Sequence, residues 1–402
     1  ISLGLVGSEM CIRDRLSVVS AFPFSLMSNI QVSVRIPPQL YEKLLAHTNT
    51  VGLSKSKVIA QALSQYLEEN KKEPSSLEER LLKVEKRLNH LESNSQKDEP
   101  QPMLSTTEIK SETSVSFETP PLEEFSFERP IIDETGAILE RVGGTSQSFQ
   151  EDLGEGVLLD MVYIPEGTFL MGSSLGEAGS QICEQPQHSV NLKGFFLAKF
   201  PVTQKQWEIV AQYPKINRDL VVDPSEFKGS DRPVESISWE DAVEFCHRLS
   251  QHSQRPYQLP SEAQWEYACR GGSTTAFNFG PTLTSDLANY MAKRLYAKES
   301  SGLYRQETTS VTAFYPNSWG LYDLHGNVWE WCADAWYSSY ENASTSGKPR
   351  VSSQHETRRV LRGGSWDEDA YHCRCASRYA YHPQAVGVSR IGFRVMLMTS
   401  AM

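Results

Sequence analysis

GLYDLHGNVWEW (residues 320–331), followed downstream by RVLRGGSW (359–366) and GFRV (392–395), is the stretch whose reading decides the fold. Glycines and aromatics crowd together here, and no run is long enough for an extended helix. The texture is that of a sheet-rich α+β domain with short elements and a core filled by large rings. The same texture extends back to Leu158. MVYIPEGTFLMGS (161–173) predicts two short strands around a turn at Pro165–Gly167. EQPQHSVNLKGFFLAKFPVTQKQW (184–207) predicts a strand, then a helix after Thr203. In PVESISWEDAVEFCHRLS (233–250), Ser238 is placed to cap a helix with Asp241 three residues on. YQLPSEAQWEYACRGG (257–272) repeats the device with Ser261, and Gly271-Gly272 should end that helix. Trp207, Trp239, Trp265, Trp319, Trp329 and Trp331 read as core.

Six such blocks in this order resemble the formylglycine-generating-enzyme/sulfatase-modifying-factor family. The resemblance implies a C-type-lectin-like fold over residues 153–402. It also implies structural calcium, held through Asp323, Gly326, Val328 and Glu330, two side-chain acids and two carbonyls of the kind a hard cation takes. A second calcium set, at Asn289 and Tyr290, would need an acid where Ser301 stands.

Enzymes of this family oxidise a protein cysteine to formylglycine with Cu(I) held between two thiolates, and soft Cu(I) needs soft sulfur. The two cysteines lie three and eight residues after the serine of the G-G-S motif. Counted from Ser365, those positions are Glu368 and Cys373. No catalytic residue is therefore expected and copper is not; an active site would have to recruit Cys373 and Cys375, which share a face if they lie on a strand. The related iron-dependent sulfoxide synthases need three histidines, and none of the nine here pair at helical spacing.

Between Trp366 and Ile391, frame residues alternate with a Tyr-, Ser-, Asp- and His-rich set. Such a palette suits a binding face, because Tyr supplies rigid contact area while small polar residues adapt. The segment resembles the variable region of diversity-generating retroelement target proteins, where adenine-directed mutagenesis rewrites chosen codons. That implies ligand contacts at Asp367, Asp369, Tyr371, His372, Ser377, Tyr379, Tyr381 and His382. Two functions stay open: a display module for an unknown protein or surface ligand, and a copper-dependent oxidase.

Upstream, residues 1–26 read as a leader outside the fold, and Met27 reads as the better start. Ile30, Val32, Val34 and Ile36 alternate with polar residues as a strand, and two helices follow around Gly52 and Ser54. The order resembles the ribbon-helix-helix family over 27–73. It implies base reading by Gln31, Ser33 and Arg35 and a phosphate held near Ser54 and Lys55. Forty-odd residues bury too little core alone, so the module should pair into a homodimer or higher even oligomer. Six Lys/Arg face four Glu over 27–73, a weakly basic balance that leaves both a DNA reader and a bare dimerisation clasp open. Leu77, Leu81, Val84, Leu88 and Leu91 follow the a/d rhythm of a short coiled coil over 74–92, and 93–152 reads as a disordered linker.

The whole chain has 402 residues and a net charge of −11, which argues against its coating nucleic acid throughout. It holds no apolar run long enough to span a membrane. Seven scattered cysteines are no disulfide framework and suit thiols kept reduced in a cytoplasm.

Overall fold

Three helix starts obey one local rule. Thr203 Oγ1 accepts from the Gln206 amide at 3.2 Å, and Gln206 Oε1 accepts from the Thr203 amide at 3.0 Å. The same reciprocal box joins Ser238 to Asp241 and Ser261 to Gln264. These caps satisfy amides that a helix leaves orphaned, and they open α1 (Gln204–Ala211), α2 (Trp239–Ser253) and α3 (Glu262–Arg270). Gly271 ends α3 with φ of 51°, as its sequence predicts.

The computed structural model describes residues 120–352 and 357–399, with the backbone alone of 5–6, 9–14 and 32–36. The chain divides into two units, 1–110 and 111–402. In the larger unit, β4 (Glu123–Ile132), β5 (Ile138–Asp152), β6 (Leu158–Ile164), β9 (Phe195–Ala198), β10 (Tyr257–Gln258) and β15 (Met396–Met398) form a sheet ordered β10-β15-β9-β6-β5-β4. A second sheet, ordered β13-β12-β11-β14, contains β11 (Trp329–Ala335), β12 (Arg359–Arg362), β13 (Tyr379–Tyr381) and β14 (Ile391–Gly392). A ribbon of β7 (Gly167–Met171) and β8 (His188–Leu192) completes it. The α+β, C-type-lectin-like class read from the sequence is the one observed.

Trp207, Trp265, Trp329 and Trp331 are fully buried, whereas Trp239 and Trp319 are only half-buried. Trp207 stacks on Phe245 at 5.6 Å, and Phe393 meets both rings edge-on. Few long elements are needed when rings this large carry the apolar burial.

The linker expected over 93–152 is corrected at its end, because 123–152 forms the long β4–β5 hairpin. The physical cause is local. Asp133 Oδ1 accepts from the amides of Thr135 and Ala137 at 2.8 and 3.0 Å, which builds the turn, and Gly136 takes φ of 80°. Phe127 is buried against Gly144, where a Cβ would lie 2.6 Å from its ring. The alternation of Phe125 and Phe127 with Ser126 and Glu128 carried that signal inside a polar composition.

In the smaller unit, Val32–Ile36 (β3) is a strand, as its alternation predicts. It pairs antiparallel with Glu9–Asp14 (β2) of the same chain, which in turn pairs with Leu5–Val6 (β1). Residues 5–6 and 9–14 thus take part in a sheet. Ser33 faces Arg13 and Arg35 faces Cys11 in this ladder. Gln31, Ser54, Lys55 and the heptads of 74–92 lie outside the described residues.

Candidate functional site

The segment joining β12 to β13 is a chain of tight turns, and it starts where only glycine fits. Gly363 and Gly364 take φ of 99° and 75°, and a Cβ on Gly364 would lie 2.5 Å from Cys373 Sγ. The Trp366 amide then donates to Asn327 O at 3.0 Å, and the Met291 amide donates to Glu368 O at 2.8 Å. Asp367 closes the loop at both ends: Ser365 Oγ donates to it at 2.6 Å and Arg390 at 2.8 Å.

A polar cluster follows. Asp369 accepts from Arg294 at 3.0 Å and lies 3.1 Å from His372 Nδ1, and the same nitrogen is 3.5 Å from Glu368 Oε2. Burial works against the Asp369 carboxylate, yet His372 and Arg294 together hold its pKa below the usual range. The bond to Asp369 pushes His372 above an ordinary histidine, against burial and with help from Glu368. Beside it, Tyr379 is 40% exposed and stacks on Trp329 at 5.6 Å, with Tyr381 a further 6.4 Å along. Trp329 Nε1 donates to Glu368 at 3.4 Å.

Of the eight residues predicted to meet a ligand, Asp367, Tyr371, His372, Tyr379, Tyr381 and His382 reach the surface. Asp369 and Ser377 do not, being 7% and 0% exposed. Both sit in buried runs of the segment, 369–370 and 373–378, and Asp369 serves to fix His372. The sequence also left unmarked several residues that join this neighbourhood from afar. Arg294 covers the Tyr371 ring at 4.3 Å, and Tyr304 stacks on Trp366 at 6.3 Å. Only the fold brings these positions together.

The two cysteines offered for copper part company. Cys373 and Cys375 lie in turns, not on a strand, so the shared face fails. Cys373 packs with Phe277 and Tyr290, whereas Cys375 packs with Trp265 and Leu324 in a different part of the core. Burial, then the charges of Glu368 and Asp369, push the Cys373 thiol well up. Cys375 Sγ instead lies 3.5 Å from Cys269 Sγ. Among the described residues, Cys269, His325 and Cys375 are the one group of three potential ligands found within 4.8 Å of one another. Among the described residues Cys373 joins no group of three potential ligands, and the charges that act on its thiol are the carboxylates of Glu368 and Asp369, which do not fit Cu(I).

The calcium set fits in part. Asp323 is buried, with φ of 55°, and burial pushes its carboxyl up to about 7, as expected for an acid lacking a full counter-charge. Gly326 takes φ of 85° against the Asn289 backbone, and Val328 is buried beside it. Glu330 is already neutralised: Arg394 donates to its two oxygens at 2.6 and 2.7 Å, and Trp265 Nε1 donates at 2.7 Å. One free acid remains where two were expected.

A glycine-hinged lectin-like scaffold that carries an aromatic and acidic loop over its second sheet defines a class of protein. The chain belongs to the sulfatase-modifying factor enzyme 1-like domain family, whose model matches residues 149–398. It is 30% identical over 267 residues to the serine/threonine-protein kinase pkn1 of Chlamydia pneumoniae, covering 61% of this chain and 39% of that protein. It thus spans well under half the length of this relative. The formylglycine-generating enzyme of Mus musculus is 28% identical, over 59% of this chain and 74% of its own. PvdO from Pseudomonas aeruginosa superposes with a TM-score of 0.54 at 28% identity, covering 62% of this chain and 98% of its own. Among the described residues no helix is long and apolar enough to cross a membrane.

Proposed function

We propose that the C-terminal domain is a non-catalytic binding and display module, whose face is built by Asp367, Tyr371, His372, Tyr379, Tyr381 and His382. One observation carries the reading: Glu368 takes the place of the first copper thiol and is bound to Trp329, while Cys375 is committed to Cys269. A carboxylate beside a single buried thiol lacks the soft pair that monovalent copper requires. The aromatic stack of Trp329, Tyr379 and Tyr381 offers instead a rigid, half-exposed platform of the kind that adaptable binders use. The N-terminal module pairs two chains, so that the face is presented at least twice and gains avidity. DNA contact through Ser33, Arg35 and their neighbours is a further role for that module.

The test is incubation of the full chain with Cu(I), oxygen and a Cys-x-Pro-x-Arg peptide. The peptide should keep its thiol. Formation of the aldehyde would overturn the reading in favour of the oxidase.

A further inference from the structure

We propose that the groove between β7 and the C-terminal end of α3 is a docking site for an uncharged, proline-rich segment in the polyproline II conformation. The cavity measures about 610 Å³, and none of its lining residues belongs to the 366–391 segment. A concave, aromatic-walled space of this size is the kind that holds a small ligand or a few residues of a partner.

Three rings build its floor. Phe169 lies 5.2 Å from Tyr267 at an angle of 47°, and Tyr267 lies 4.9 Å from Trp319 at 65°. Tilted in this way, the rings make two furrows and not one flat platform. A flat platform suits a sugar ring, whereas furrows between aromatics suit the pyrrolidine rings of a proline helix. The two ring steps together are about as long as one turn of that helix, three residues at about 3.1 Å each.

The rings are fixed by their own neighbours. Tyr267 Oη donates to Pro165 O at 3.2 Å, and a Cβ on Gly167 would strike that hydroxyl. The Trp319 amide donates to Asn317 Oδ1 at 3.0 Å, and the Trp319 carbonyl accepts from Ser146 Oγ at 2.9 Å. Fixed rings and a stiff ligand both reduce the entropy lost on binding.

The polar groups of the groove suit the same ligand. Proline has no amide proton, so a polyproline II segment shows carbonyls outward and calls for donors. Among the described residues, the Trp319 indole N–H and the hydroxyls of Ser174, Ser189 and Thr274 have no partner in the protein, and all four line the groove. Each can donate to a carbonyl. Arg270 is the only charged residue in the lining. Its guanidinium is committed to Glu266, at 2.8 and 3.0 Å, and to Gly172 O at 3.1 Å. No charge is left to demand an ionic ligand.

The experiment titrates the full chain into fluorophore-labelled decaproline and follows anisotropy. A saturable rise with Kd below about 1 mM is expected. A glycine-serine peptide of equal length should not bind, and cellobiose should not compete. Trp319→Phe, which keeps a ring and removes the N–H, should weaken decaproline binding roughly three- to tenfold. Leu139→Ala, exposed and outside the groove, should leave it unchanged. Thr274→Arg, at the exposed rim, should weaken binding as well and carries the test if Trp319→Phe does not fold. No saturable binding, equal binding of the glycine-serine peptide, displacement by cellobiose, or an affinity unchanged by the groove substitutions would overturn the proposal.

Discussion

The indole of Trp329 donates to Glu368 at 3.4 Å while Tyr379 stacks on its ring at 5.6 Å. One buried tryptophan therefore fixes both Glu368, three residues after Ser365, and the exposed aromatic of the proposed binding face. Core and face are joined at this residue, and substitutions on its two sides should behave differently.

Trp329→Ala should cost about 3–5 kcal/mol, since a buried ring is removed from a packed cluster. Tyr379→Ala, cut from a half-exposed position, should cost about 1 kcal/mol. Urea unfolding of both variants checks the contrast, and equal losses would place Tyr379 in the core.

Arg394→Ala should destabilise by about 3–5 kcal/mol, because it strands the buried Glu330 carboxylate. The double variant Arg394→Ala/Glu330→Ala should lose less than the sum of the two single changes, as expected for partners in contact. Strict additivity in a denaturation cycle would mean that the pair is not coupled.

Asp334 is fully buried, and its carboxyl is pushed up to about 7, by burial first and by the charge of Glu262 next. Its folded pKa thus lies above the unfolded value near 3.8. The stability it contributes is fully present below about pH 4 and is lost as pH rises through about 7. Unfolding free energies across that window should fall by on the order of 4 kcal/mol more in the unsubstituted chain than in Asp334→Asn. Parallel profiles would show that Asp334 does not titrate in this way.

Calcium, proposed at Asp323 with the carbonyls of Gly326 and Val328, has one free acid to bind and should bind weakly. Millimolar calcium at pH 8 should raise the melting temperature by a few degrees, and Asp323→Ala should abolish the rise. No rise in the unsubstituted chain would remove the ion from the account.

The fold was legible in the sequence wherever the signal was local. Ser238 with Asp241, Ser261 with Gln264, and Gly271 announce their helices within a few residues. The β4–β5 hairpin was hidden by its Ser- and Glu-rich composition, although Phe125 and Phe127 alternate. The proposed binding segment was visible as a palette, but burial within it was not. Asp369 and Ser377 look like surface residues, and only the turn geometry turns them inward. Spacing from Ser365 marked Glu368 as the misfit. That Cys375 faces Cys269, 106 positions away, had no sequence signal at all.

The proposed display role requires that the scaffold offer no thiolate pair for copper beside Ser365, and a Cu(I) titration against a competing chelator probes that requirement. The unsubstituted chain should surrender the metal to the chelator. Glu368→Cys, which puts sulfur three and eight positions after Ser365, should retain one equivalent more tightly by at least tenfold. Retention of one Cu(I) by the unsubstituted chain, lost in both Cys373→Ala and Cys375→Ala, would contradict the account.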